Sequence, residues 1–144
     1  MKKNILVFFM LFFLSFFVFE LAQAKNTFFK EGKILFNKKE YVESKFYFEK
    51  DIVFNPKNEN SYLYLAKIFK KQKKDSLEEN NLNTVLLLNP KNEEAIYLLA
   101  LLNIKKSNFS KANNLISTLT TVCEKMCSTK KELKEKLDRS QKSK

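Results

Sequence analysis

The sequence predicts an all-α fold: three antiparallel helix pairs stacked in line, closed by one further helix. Three observations predict it. The stretch FNPKNENSYLYLA, from Phe54 to Ala66, returns as LNPKNEEAIYLLA from Leu88 to Ala100, with seven positions unchanged. Between these corners apolar residues recur at helical spacing, and no stretch beyond the N-terminal segment sustains strand-like alternation. The chain has one glycine, Gly32, whereas a β protein of this size would place several at its turns.

The first element is not part of that fold. Lys2 and Lys3 give a basic start, Ile5 to Phe19 is apolar apart from Ser15, and Ala22-Gln23-Ala24 places small residues around a cleavable bond. This is the layout of a secretory signal peptide over residues 1–24, with cleavage expected after Ala24. The alternative is an uncleaved anchor. Fifteen helical residues rise only roughly 22 Å, against a hydrocarbon core of roughly 30 Å, and Glu20 resists extension. Export is therefore expected, to the periplasm of a double-membrane bacterium or otherwise to the exterior; an uncleaved signal would leave the protein membrane-anchored.

Each corner reads as helix, tight turn, helix. Pro56 and Pro90 cannot continue a helix, so each stands just behind a helical end. Asn58 and Asn92 suit the cap of the following helix, whose first turn carries Glu59 or Glu93 and Glu94. The first pair, about 25–58, uses Phe28, Gly32, Leu35 and Phe36, then Tyr41, Ser44, Phe48 and Ile52 across a Lys38-Lys39 break. The second, about 59–92, uses Tyr62, Ala66 and Phe69, then Leu82, Val85 and Leu86. The third, about 93–124, uses Ile96, Leu99 and Ala100, then Phe109, Ala112, Ile116 and Leu119.

A period of about 34 residues, two helices per unit and a proline closing each unit resemble the tetratricopeptide repeat. The resemblance covers Lys25 to about Glu124 and is to the small, exported, bacterial type. It implies a three-unit helical solenoid, with bulky rings (Phe28, Tyr62) set into gaps left by Gly32, Ala66 and Ala100. The middle unit departs from the pattern. Asp75 stands where its neighbours have Tyr41 and Phe109, and Glu78 where they have Ser44 and Ala112, so its second helix is expected to be shifted or loosely packed. Asp51 replaces a small apolar residue, and Glu124 occupies the third proline position.

An open apolar end needs a polar-backed helix to cover it. The stretch TKKELKEKLDR within residues 125–144 fits, with Leu133 and Leu137 facing inward and a Thr129–Glu132 capping box. Lys131–Glu135, Glu132–Lys136, Lys134–Asp138 and Glu135–Arg139 are spaced for ion pairing. Ser140 to Lys144 reads as a frayed tail.

Little in the chain suits catalysis. There is no histidine, which removes the commonest general base and zinc ligand, and one glycine cannot build a phosphate loop. The carboxylates lie among lysines on solvated faces. No enzyme activity, cofactor or metal is expected. Cys123 and Cys127 are the only thiols; in an oxidising compartment a structural disulfide is the first reading, two buried thiols the second and redox catalysis a distant third.

The net charge of +11 would suggest nucleic acid in a cytosolic protein, but export turns attention to acidic protein segments and anionic lipid. Lys38, Lys39, Lys70, Lys71, Lys73, Lys74, Lys105 and Lys106 fall at the turns inside the units. Stacking would align them as one basic edge, functional or simply solvated. The resemblance also implies a concave face made by the first helix of each unit. There Phe29, Lys33 and Phe36 would align with Leu63, Lys67 and Lys70, and with Tyr97, Leu101 and Ile104. That row is apolar enough for a peptide or amphipathic helix. The family's best-known groove grips a C-terminal carboxylate; the matching positions here read Phe29, Lys33, Tyr64, Glu94 and Leu98, which does not support that role. The sequence thus points to a non-catalytic adaptor, monomeric when purified alone, with a structural subunit of a homo-oligomer or envelope assembly as the alternative.

Overall fold

The computed structural model describes residues 27–142; the expected signal segment with its Ala24 cleavage site, and residues 143–144, lie outside it. Helix α1 runs over 27–37. It is followed by α2 (Tyr41–Phe54), α3 (Glu59–Lys71), α4 (Asp75–Leu88), α5 (Glu93–Lys105), α6 (Phe109–Val122) and α7 (Thr129–Lys142). Among the described residues there is no strand, and no helix is long and apolar enough to cross a membrane. The chain divides after Pro56 into two compact units.

In the first unit Gly32 decides the packing. A Cβ there would stand 2.8 Å from Cε1 of Phe48, so only glycine lets that ring close on α1, where Phe48 is wholly buried. The Ser44 hydroxyl donates to the Gly32 carbonyl at 2.9 Å, so the small polar residue is satisfied by the backbone it approaches. Phe29 packs on Phe48 (5.8 Å between centroids), Phe36 edge-on to Tyr41 (5.5 Å) and Phe28 on Phe54 (5.4 Å). Asp51, fully buried, accepts from the Asn55 amide at 3.0 Å as α2 ends.

In the second unit α3 packs on α4 and α5 on α6, α4 also meets α5, and α7 rests on both α5 and α6. Leu63, Ala66, Leu82, Val85, Leu99 and Leu102 belong to one core cluster; Ile96, Ala100, Ile116, Leu119, Leu133 and Leu137 belong to the next. Asn58 and Asn92 cap their helices through Oδ1, accepting from the Asn60 amide at 3.3 Å and the Ala95 amide at 3.0 Å. Every pair of helices is closed by the same turn. Lys39, Lys73 and Ser107, equivalent positions of successive repeats, sit at φ 66°, 57° and 60°. The amide after each bonds five positions back: Glu40 to Leu35, Lys74 to Phe69 and Asn108 to Asn103, at 2.8 to 3.0 Å. These are Schellman ends without glycine.

Two expectations are corrected. The middle unit's second helix is in register: α4 starts and ends one full period after α2 and one full period before α6. Glu78 is accommodated inside it at 3% exposure, while Asp75 turns outward to bind Lys105 at 2.7 Å. The capping box of α7 is absent. The Thr129 hydroxyl instead donates back to the Met126 carbonyl at 2.6 Å, because the preceding loop has already turned, and the Glu132 carboxylate is engaged elsewhere. Of the four spaced pairs on α7, Lys136–Glu132 closes at 2.6 Å, and Arg139 bonds the Glu135 carbonyl rather than its carboxylate.

Candidate protein-binding surface

The surface exposed by the first helices of the second unit is polar and tyrosine-bearing. On α3, the Lys67 ammonium lies 4.7 Å from the Tyr64 ring centroid and 2.7 Å from a Glu94 oxygen at the start of α5. One lysine therefore joins an aromatic face on its own helix to a carboxylate on the next. Burial, then the Glu94 charge, pushes the Tyr64 phenol up. A different contact of the same residue types joins α5 to α7. The Tyr97 hydroxyl on α5 donates to Glu132 Oε1 of α7 at 3.2 Å, and Lys136 holds the same oxygen at 2.6 Å. Burial and the Glu132 charge raise the Tyr97 phenol, while the hydrogen bond from Lys136 lowers the Glu132 carboxyl. Each cluster ties two neighbouring helices and leaves a tyrosine partly exposed.

The expected apolar row is divided by this arrangement. Leu63 and Ile104 are corrected to core positions, at 4% and 7% exposure, Leu63 within the α3–α4–α5 cluster and Ile104 within the α5–α6–α7 cluster. Their physical reason is angular. Leu63 lies three positions before Ala66, and Ile104 four after Ala100, so each shares the buried stripe. Leu101 is half-buried against the α5–α6–α7 cluster. Tyr97 and Lys67 remain at the surface in the clusters just described, and Lys70 is exposed. In the first unit Phe29 and Phe36 are half-buried, and exposed Lys33 places its ammonium 5.8 Å from the Phe29 centroid.

The lysines at the turns are exposed, but they are not equivalent. Lys38 and Lys39 belong to the first unit. In the second, Lys70 and Lys71 end α3 and Lys73 and Lys74 follow it, whereas Lys105 is bound by Asp75 (2.7 Å) and Lys106 by Glu79 (2.5 Å). Lys111 reaches the same Glu79 at 2.8 Å, and these two lysines hold its carboxyl below the usual range. The expected row of like charge is thus neutralised at Lys105 and Lys106, because Asp75 and Glu79 of α4 lie beside them. Cys123 and Cys127 form a disulfide, with Cα atoms 5.2 Å apart across a break in the helix after Val122. Among the described residues no three of histidine, cysteine, aspartate and glutamate gather to hold a metal. The Glu132–Lys136 pair was legible from its i,i+4 spacing, but Lys67–Glu94 and Tyr97–Glu132 had no sequence signal beyond residue type, since each is made between helices.

Solved structures agree with the helix order. The TPR domain of Arabidopsis OM64 superposes with a TM-score of 0.74 at 16% identity, covering 83% of this chain and 98% of that domain. The chain has the tetratricopeptide-repeat fold. Its class is a helical solenoid of antiparallel helix pairs. Other solved structures align comparably. The TPR2B domain of yeast Sti1 in its pHsp70 complex gives 0.70 at 16% identity, covering 87% and 99%. The Yersinia enterocolitica type III secretion chaperone SycD, in complex with a peptide of the translocator YopD, gives 0.72 at 10% identity, covering 84% and 95%. No protein-family model and no curated protein matches the chain.

Proposed function

We propose that the protein is a non-catalytic adaptor that holds a peptide or helix of another protein against the face formed by α3 and α5. The observation that carries this reading is the pair of tyrosine–carboxylate–lysine clusters on that face. Tyrosine offers a broad rigid surface at low entropic cost. The ion pair beside Tyr64 suits a segment bearing an acidic residue, which would compete with Glu94 for Lys67. Support also comes from the fold, which in the Sti1 and SycD structures is seen with protein or peptide partners. Export rests on the Lys2-Lys3 start, the apolar run and Ala22-Gln23-Ala24; the mass of the native protein tests it.

The experiment is selection of binding peptides from a displayed library, followed by measurement on Tyr64→Ala and Lys67→Ala variants. Each change is expected to weaken capture by tenfold or more while leaving the melting temperature within a few degrees. Lys67→Ala should also flatten the salt dependence of binding. Unchanged capture by both variants would refute the reading.

A second reading, a subunit of a homo-oligomer, is favoured by one observation. Val42, Phe46 and Val53 on α2 are 72%, 59% and 76% exposed. The positions equivalent to Val42 and Phe46 are Ser76 and Asn80 in the middle repeat, and Ser110 and Asn114 in the last. The repeat does not require apolar residues there. Light scattering across a concentration series separates the readings: a dimer abolished by Phe46→Ser supports assembly, and a monomer throughout supports the adaptor.

A further inference from the structure

The corner after α6 differs from the one before it in kind. Residues 124–126 carry three successive backbone N–H groups, and all three donate to the Glu93 carboxylate at the start of α5. Glu124 reaches Oε1 at 2.9 Å, Lys125 reaches both oxygens at 3.1 Å, and Met126 reaches Oε2 at 2.6 Å. These bonds lower the Glu93 carboxyl, the Glu124 amide contributing most. The same loop starts the next helix. The Met126 carbonyl accepts from the Thr129 amide at 3.0 Å and from its hydroxyl, and the Cys127 carbonyl accepts from Lys130 at 3.4 Å. One short loop therefore faces α5 with its amides and α7 with its carbonyls.

The disulfide spans that loop and nothing else. It keeps the Cα atoms of Cys123 and Cys127 at 5.2 Å, whereas an extended chain of this length would separate them by roughly 13 Å. Turning all three amides to one carboxylate requires the folded-back form, which the bridge enforces. Beyond the loop, α7 is held by little. Leu133 and Leu137 are its buried side chains, where α5 buries eight, and the Tyr97–Glu132 bond adds one polar contact. Cys127 is exposed and Cys123 partly so, which leaves the bridge open to a reductant in solution.

We propose that the Cys123–Cys127 bridge is a redox latch on α7: oxidised, it seats the helix over the α5–α6 end of the core; reduced, it lets the helix lift. The chemistry is thiol–disulfide exchange with a dithiol reductant. A thiolate of the reductant attacks one sulfur and releases the other cysteine as thiolate, which takes a proton. The reductant's second thiol then resolves the mixed disulfide. Two electrons pass to the bridge, the reductant leaves as its own disulfide, and Cys123 and Cys127 end as thiols. Lifting α7 uncovers Ile116, Leu119 and Ile96, an apolar face that the oxidised protein keeps dry. Chain entropy for a loop this small corresponds to roughly a 30-fold change in how often the helix is open.

Amide hydrogen exchange on the full chain, oxidised and after dithiothreitol, tests this. Exchange across residues 129–142 is expected to speed up roughly 30-fold on reduction, while α3 and α4 keep their protection. A Cys123→Ser/Cys127→Ser variant without reductant should match the reduced protein and show no further response to dithiothreitol. Equal protection of α7 in both states would overturn the proposal. So would a loss of protection shared equally by α3 and α4, since the bridge would then be a general staple and not a latch.

Discussion

The middle repeat, Glu59 to Asn92, and the last, Glu93 to Cys127, solve one problem with different parts. Each opens on a glutamate whose carboxylate reaches forward to the next corner. Glu59 Oε1 accepts from the side-chain amides of Asn89 (2.8 Å) and Asn92 (3.1 Å), flanking Pro90. Glu93 accepts instead from three main-chain amides at a corner with no proline. Where proline fixes the backbone, side chains receive the carboxylate; where it is missing, a disulfide fixes the backbone and the freed amides receive it. The shared part of this design is the reaching glutamate, and the device that closes the corner is exchangeable.

Removing what the two repeats share should break both. Leu99 on α5 is 2% exposed in the cluster that includes Leu63, Leu82 and Val85 of the middle repeat. Leu99→Ala is expected to cost about 2–5 kcal/mol by transfer and cavity terms together. Circular dichroism through urea denaturation should show both repeats lost in one earlier transition. Two separated transitions would mean that the repeats do not share their core.

Opening only the disulfide corner should be milder and one-sided. Cys123→Ser/Cys127→Ser removes a loop constraint worth about 2 kcal/mol. The expected result is a lower melting temperature that reduction of the variant does not change further. A proline at the other corner offers no such redox handle, so full insensitivity of the natural protein to reductant would erase the distinction between the corners.

The third test lies in the second helices. Glu78 in α4 occupies the position that Ala112 takes in α6, and burial pushes its carboxyl up, with Lys70 opposing, Asp75 adding and Lys105 opposing. A carboxyl whose folded pKa is raised costs no stability below its unfolded value, and the cost appears as pH rises through the folded one. Glu78→Ala is therefore expected to stabilise by roughly 0.5–2 kcal/mol at pH 7. The gain should shrink toward pH 4, in melts compared across that range. A gain that grows on acidification would reverse the sign and refute the assignment.

Much of this fold was legible in the sequence, and the reasons are local. Proline, capping asparagines and apolar stripes act within a few residues, so the helix ends at Asn58 and Asn92 and the inward pair Leu133 and Leu137 could be read directly. Gly32 was legible as a close approach, though its partner Phe48 was not. The site was less legible because its contacts cross between helices. Leu63 and Ile104 lie within a fraction of a turn of the core stripe, and only packing decides which side of that boundary they fall on. Lys105 and Lys106 read as free charge until α4 brings Asp75 and Glu79 beside them. Glu93 read as an ordinary first-turn acid; its grip on residues 124–126 depends on a loop that the spacing of two cysteines did not reveal.

The smallest expected effect concerns what the two repeats have in common. Lys73 closes the middle pair and Ser107 the last, both with positive φ and the same pair of backward hydrogen bonds. An L-residue with a side chain is strained there, because its Cβ crowds the adjacent carbonyl. Glycine relieves that strain but adds freedom to the unfolded chain, which offsets part of the gain. Lys73→Gly and Ser107→Gly are each expected to stabilise by about 0.5–1 kcal/mol in urea titrations. Near-equal gains would show that the turn inside a repeat is insulated from the device closing the corner after it. A gain at Lys73 with a loss at Ser107 would mean that the side chain at the second turn makes a contribution glycine cannot replace, and the two repeats would then differ at both ends.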